Sequence, residues 1–190
     1  MALTSTRLTA DEYFALPPTT ASPELRRTQL INGEIVVTEA SVRHQRIAGE
    51  IFRLLTNWLI DHPGHGEAGI PVNVHLDDFN VFAPDVWWVP EVLRPARDAD
   101  RIVGPPALAV EVRSPSTWRY DIGAKKRAYE HLGLAELWLV DTAADAVVVY
   151  RRSSPGAPDF DVALELTTAD ALTTPLIPGF SIDLAGLFDR

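Results

Sequence analysis

The chain has 190 residues, 46% apolar and 23% charged, with 26 Asp and Glu against 17 Lys and Arg for a net charge of −9. That length suggests one domain spanning residues 1–190, able to bury about 70% of its unfolded surface, and the ordinary apolar fraction argues against disorder. The absence of cysteine excludes a disulfide scaffold, a thiolate metal site and a cysteine nucleophile, and the acidic balance argues against a general polyanion binder. No run reaches the ~18 apolar residues of a membrane helix. Asp11 and Glu12 stand where a signal peptide would need an apolar core, so the expected location is cytoplasmic.

Along the chain, Thr9 and Glu12 form a capping-box signature for a short helix that should end before Pro17 and Pro18. Leu25 to Ile31 and Glu34 to Thr38 flank Asn32-Gly33, a strong hairpin signal. Ser41 can cap a helix running to about Ile60, in which Ile47, Ile51, Leu54, Leu55 and Trp58 recur at helical spacing. Ile70 to Leu76 reads as a strand. Val81 to Val89 reads as another, in which Pro84 demands an edge, a bulge or a bend. Residues 91–104 read as a loop with a helical turn. Ala107 to Val112 is the best candidate for a fully buried strand. A helix from Asp121 to Leu132 follows, with Gly133 as its C-terminal cap, and then strands at Leu137 to Asp141 and Val147 to Arg151. Strand, helix, strand from Ala107 to Asp141 describes a crossover that makes its two strands parallel neighbours. The remainder reads as one strand and a loop-rich tail. The expected fold class is α/β, a mixed sheet flanked by helices with an N-terminal hairpin.

Three positions break the local pattern. Asp85 follows Pro84 inside an apolar aromatic strand. Glu111 closes the buried strand, on the face of Ala107 and Ala109 and opposite Leu108, Val110 and Val112. A carboxylate there is costly unless paired or bound to a metal, and ligands of open sheets gather beyond the carboxyl ends of the strands. Lys125 falls on the sheet-facing stripe of its helix with Ile122, Tyr129 and Leu132, while Lys126 and Arg127 can reach solvent. Two carboxylates and a cation suit metal-assisted phosphodiester hydrolysis: hard oxygens hold Mg²⁺ or Mn²⁺, and a lysine can orient or deprotonate water or stabilise the transition state.

Pro84-Asp85 followed by Glu111-Val112-Arg113 resembles the PD-(D/E)xK nuclease signature, with arginine where the lysine normally sits. Glu111-Val112-Arg113-Ser114-Pro115-Ser116-Thr117, then Asp121, Lys125 and Tyr129, then Glu136-Leu137-Trp138-Leu139-Val140-Asp141, resembles the bacterial Uma-two family of endonucleases. Asn32-Gly33-Glu34, His44 and Pro178-Gly179-Phe180 match that pattern too, so the likeness covers nearly the whole chain. It implies a restriction-endonuclease-like core with a divalent ion, Mg²⁺ or Mn²⁺, at Asp85 and Glu111. It also implies that the lysine has moved from the strand to the helix, where Lys125 matches. Arg113 departs from the strand lysine; it could assist electrostatically, but its pKa is too high for a base.

Each residue also has a plainer reading: Asp85 as a bend residue, Glu111 as a salt-bridge partner of a nearby arginine, Lys125 as a snorkelling side chain. Glu34 is either an auxiliary acid or the exit of the hairpin. His44, on the stripe of Ala48, Ile51 and Leu55, is held as auxiliary. His62 and His65 read as loop residues, since a pair without a third ligand is a poor zinc site. Arg26, Arg27, Arg43, Arg46, Arg53, Arg151 and Arg152 could form a phosphate-facing patch or merely solvate the surface. The expected activity is metal-dependent phosphodiester hydrolysis in nucleic acid, DNA ahead of RNA, with Asp85, Glu111 and Lys125 at its centre. The alternatives are a catalytically silent module for nucleic-acid or protein interaction, and a hydrolase of small phosphorylated molecules. A homodimer is left open.

Overall fold

A computed structural model describes residues 7–16 and 27–189. Helix α1 (Ala10–Phe14) starts at the Thr9–Glu12 capping box, closed in both directions, and ends before Ala15. Strands β1 (Arg27–Ile31) and β2 (Glu34–Thr38) pair antiparallel around Asn32-Gly33, both of which take positive φ. Positions 17–26, including the expected Leu25 strand start and Arg26, lie outside the described residues.

Helix α2 (Val42–Asp61) begins at Ser41, whose hydroxyl accepts the His44 N–H. It buries Ile47, Ala48, Ile51 and Leu55. Two short strands follow, β3 (Glu67–Gly69) and β4 (Val74–Asp77), where the sequence suggests one strand over Ile70 to Leu76. The reason is Gly69: a Cβ there would collide with the Trp87 ring, so a residue type that reads as a turn is what lets β3 lie against its neighbour.

Pro84 marks a change of sheet. Strand β5 (Asn80–Phe82) belongs to a five-stranded sheet of order β2-β1-β5-β4-β7, with β7 (Ile102–Val103) at its edge. Strand β6 (Val86–Val89) belongs to a six-stranded sheet of order β11-β10-β9-β8-β6-β3. In that second sheet β8 (Leu108–Val112) is buried at every residue and runs parallel to β9 (Glu136–Asp141), as the crossover requires. Strands β10 (Ala146–Arg151) and β11 (Val162–Leu166) complete it. The tail is more ordered than its composition suggests: β12 (Ala171–Thr173) pairs with β13 (Ser181–Asp183), and α3 (Leu184–Phe188) closes onto α2.

Leu108, Val110 and Val112 point into one core with α2 and the tail, while Ala109 points to a second core with Phe82 and Tyr129. The two-residue alternation therefore aims Glu111 at the second core.

The helix of the crossover starts earlier than expected, at Trp118, and runs to His131. Residues Asp121–Lys125 form a wide π-helical turn, in which the Lys126 N–H donates to the Asp121 carbonyl. The extra residue in that turn shifts the buried stripe. Ile122, expected on the sheet-facing side with Lys125, is 49% exposed, and Asp121 takes the inward place. Gly133 ends the helix with φ +88°.

Candidate active site

A cavity of about 380 Å³ opens between the two sheets, and Gln29, His44, Asp85, Glu111, Ser114, Thr117, Asp121 and Lys125 lie in its wall. Separate segments supply them: β1, the first turn of α2, the sheet-changing crossover, the end of β8, and the loop and helix that follow. Proline forces the Asp85 segment out of both ladders, while the Asp85 N–H stays anchored on the Val110 carbonyl at 2.9 Å. Asp85 Oδ2 accepts the Val112 N–H at 2.8 Å and lies 3.0 Å from His44 Nε2. Its second oxygen has no such partner among the described residues.

Lys125 is buried to 1% exposure and faces inward. Its Nζ lies 2.6 Å from Glu111 Oε2 and 3.1 Å from Asp121 Oδ1. Tyr129 donates its hydroxyl to Glu111 Oε1 at 2.9 Å, and Thr117 donates to Asp121 Oδ2 at 3.3 Å. Ser114 and Thr117 share a hydrogen bond of 2.6 Å. Asp121, Lys125 and Tyr129 recur every four residues, so one helix stripe delivers acid, ammonium and phenol to the same point.

The electrostatics are unbalanced, with Asp85, Glu111 and Asp121 facing a single ammonium. Burial pushes Glu111 up to about 8, with Lys125 pulling the other way and Asp121 and Asp85 adding to the rise. Asp121 is raised for the same leading reason. Burial alone would lower Lys125, but the charges of Asp121 and Glu111 outweigh it and hold the ammonium protonated. Burial and the neighbouring Glu111 raise the Tyr129 phenol as well.

Asp85, Glu111, Lys125 and His44 thus meet in one cavity. Arg113 and Glu34 do not. Arg113 lies outside the cavity wall, donates to both oxygens of Asp141 at 2.8 and 2.9 Å and stands over the Trp118 ring. Its inward alternation ends because β8 ends at Val112. Glu34 is exposed at the start of β2, as the exit of the hairpin.

Among the arginines weighed as a phosphate patch, Arg43 pairs with Asp145, Arg53 with Glu50 and Arg151 with the buried Glu136. Arg152 donates to the carbonyls of Ala157 and Glu130. All four are already engaged with partners in the chain. His62 bonds to the Trp58 carbonyl in the last turn of α2, and His65 to the His62 carbonyl. Sequence reasoning missed Asp121 and Gln29 as site residues. The Asp121–Lys125 spacing of four was the available signal for the first; nothing local marks the second.

One comparison with known proteins shows the family. The family profile of Uma2, described as a putative restriction endonuclease, matches residues 10–185. The chain belongs to the Uma2 family. A crystal structure of a putative nuclease of the DUF820 group from Anabaena variabilis ATCC 29413 superposes with a TM-score of 0.80 at 17% identity, covering 96% of this chain and 98% of that one. At that identity the likeness speaks for the fold, which is therefore the nuclease-like mixed α/β architecture expected from the motifs. No curated protein matches the chain. No helix among the described residues is long and apolar enough to cross a membrane.

Proposed function

We propose that this Uma2 protein is a metal-dependent hydrolase of phosphodiester bonds in nucleic acid, with DNA as the expected substrate. One observation carries the reading: a buried lysine held by Glu111 and Asp121 in the same cavity wall as Asp85. A silent module would gain nothing from burying two carboxylates around one ammonium with a third, partly exposed one beside them, since unbalanced buried charge destabilises a fold.

The donor set fits a hard divalent ion. Asp85 and Glu111 offer carboxylate oxygens, and the excess of negative charge is what a divalent ion would neutralise. Among the described residues no three His, Asp or Glu groups are gathered closely enough to form a metal shell by themselves. Magnesium and manganese keep several waters and take substrate oxygens into the shell, so two carboxylates are enough protein ligands for either. Bound there, the ion would supply charge neutralisation at the phosphoryl group and acidify a water.

The chain's own residues then divide the work. Asp85 is fixed by Val112 and by His44, which leaves its other oxygen to face the ion. Lys125, kept as an ammonium, cannot take a proton from water; it orients the reacting groups and stabilises charge that develops on the phosphate. Tyr129 and Thr117 hold Glu111 and Asp121 in place.

The test is cleavage of single-stranded, duplex and supercoiled DNA in magnesium and in manganese, with Asp85→Ala and Lys125→Ala beside the wild type. Both variants should lose metal-dependent cleavage while keeping their circular dichroism spectra. Full activity in either would remove that residue from the mechanism.

A further inference from the structure

Gln29 is a buried polar side chain in the cavity wall that the reading above leaves without a task. It shares a face of β1 with Ile31, which packs in the cluster of Phe82 and Tyr129, so it looks toward the same interior as Lys125. Its orientation is fixed by chemistry. The Ala83 N–H donates to Gln29 Oε1 at 3.0 Å, and since a donor must meet an acceptor, the amide oxygen faces the link between β5 and β6. The amide nitrogen, with two N–H donors, is left over, and among the described residues no acceptor meets it.

Apart from His44 Nδ1 and the Lys125 ammonium, which make no hydrogen bond of regular geometry, the other buried donors of the wall are already engaged. His44 Nε2 meets Asp85, Ser114 and Thr117 share one bond while Thr117 also reaches Asp121, and the Lys125 ammonium lies between Glu111 and Asp121. A phosphodiester entering the cavity brings acceptor oxygens and negative charge to a wall rich in carboxylates. It needs donors that are not already engaged, and the Gln29 amide is one held in place by the backbone of the link between β5 and β6.

We infer that Gln29 is a substrate-positioning residue, donating from its amide nitrogen to a non-bridging oxygen of the bound phosphodiester. The assignment rests on the phosphodiesterase reading of the site. The same side chain ties β1 to the segment that presents Asp85, so a merely structural role must be separated from a binding one.

Gln29→Glu makes that separation: it keeps an oxygen for the Ala83 N–H and replaces the amide donors with an anion. Two titrations on the full chain at pH 8.5 decide the matter. Calorimetry with manganese alone reads the metal site. Fluorescence anisotropy of a labelled single-stranded deoxyoligonucleotide in calcium reads the substrate. The inference predicts that Gln29→Glu binds manganese at least as well as the wild type and binds the oligonucleotide about tenfold or more weakly, the scale of losing a hydrogen bond to a charged group.

Equal oligonucleotide binding by variant and wild type would overturn the inference and leave the phosphodiesterase reading standing. A variant that loses manganese binding would make Gln29 a prop for Asp85 and overturn its substrate role. A wild type that binds manganese but no oligonucleotide would overturn the reading itself, and Gln29's role with it. Gln29→Met, lacking both donor and acceptor, is the second variant. It should weaken the oligonucleotide at least as much as Gln29→Glu, and oligonucleotide binding at wild-type strength by Gln29→Met would also overturn the inference.

Discussion

Glu111 and Glu136 sit on neighbouring parallel strands, both almost completely buried, yet they do opposite things. Glu136 opens β9, opposite Leu108 at the start of β8, and Glu111 lies near the carboxyl end of β8, opposite Leu139. Around Glu136 every demand is met. Arg151 Nε donates at 2.9 Å, Thr174 at 2.8 Å and the Trp138 indole at 2.6 Å, and this one carboxylate faces one guanidinium. That cluster joins β9 and β10 to the tail. Around Glu111 the charges do not balance, and the cluster opens on a cavity. A carboxylate that is neutralised and sealed is architecture; one left short of positive charge beside open space is where we propose that the divalent ion binds.

Substitutions can break that comparison. The largest expected effect is on chemistry: Lys125→Met should lower kcat by about 10²–10³-fold, the cost of losing one preorganised charge, as read by single-turnover cleavage. Next comes stability at the sealed cluster. Glu136→Ala leaves Arg151, Thr174 and the Trp138 indole without their acceptor and should cost about 3–5 kcal/mol in urea unfolding. Manganese binding should not change, because the cluster lies at the other end of the sheet.

The pH dependence sharpens the same contrast. Folding raises Glu111 from an ordinary 4.5 to about 8. A raised acid stabilises the fold fully below its unfolded pKa, and that contribution is lost as pH climbs through the folded value. The metal-free protein should therefore lose stability between about pH 4.5 and 8, on the order of a few kcal/mol, with Asp121 acting in the same direction. Lys125 is raised above its ordinary 10.5, so its own contribution fades only at more alkaline pH. Glu111→Gln should flatten the slope while abolishing metal binding. A slope as steep in Glu111→Gln as in the wild type would place the strain elsewhere. The smallest effect is expected for Arg113→Ala, which breaks a partly exposed pair with Asp141: within about 1 kcal/mol in stability, with cleavage unchanged.

Much of this was legible in the sequence, because each inference rested on a local rule. Alternation along β8 aimed Glu111 correctly, Pro84 announced the break that presents Asp85, and Asn32-Gly33 fixed the hairpin. The failures share a cause as well. Helical phase was extrapolated through residues 121–125, and a wide turn moved Asp121 inward and Ile122 out. Arg113, expected to assist at the site, turns away from it because the strand ends one residue earlier. Gln29 could not be found at all: its task comes from Ala83, 54 positions away, and nothing near Gln29 in the chain reports that contact.

The central claim is that Asp85 and Glu111 share one divalent ion beside the Lys125 ammonium. A crystal equilibrated with millimolar manganese and read by anomalous scattering tests it most directly. The account predicts a single strong peak between the two carboxylates, with Lys125 still turned toward Glu111. Manganese bound only elsewhere, or ordered carboxylates with no peak between them, would contradict it.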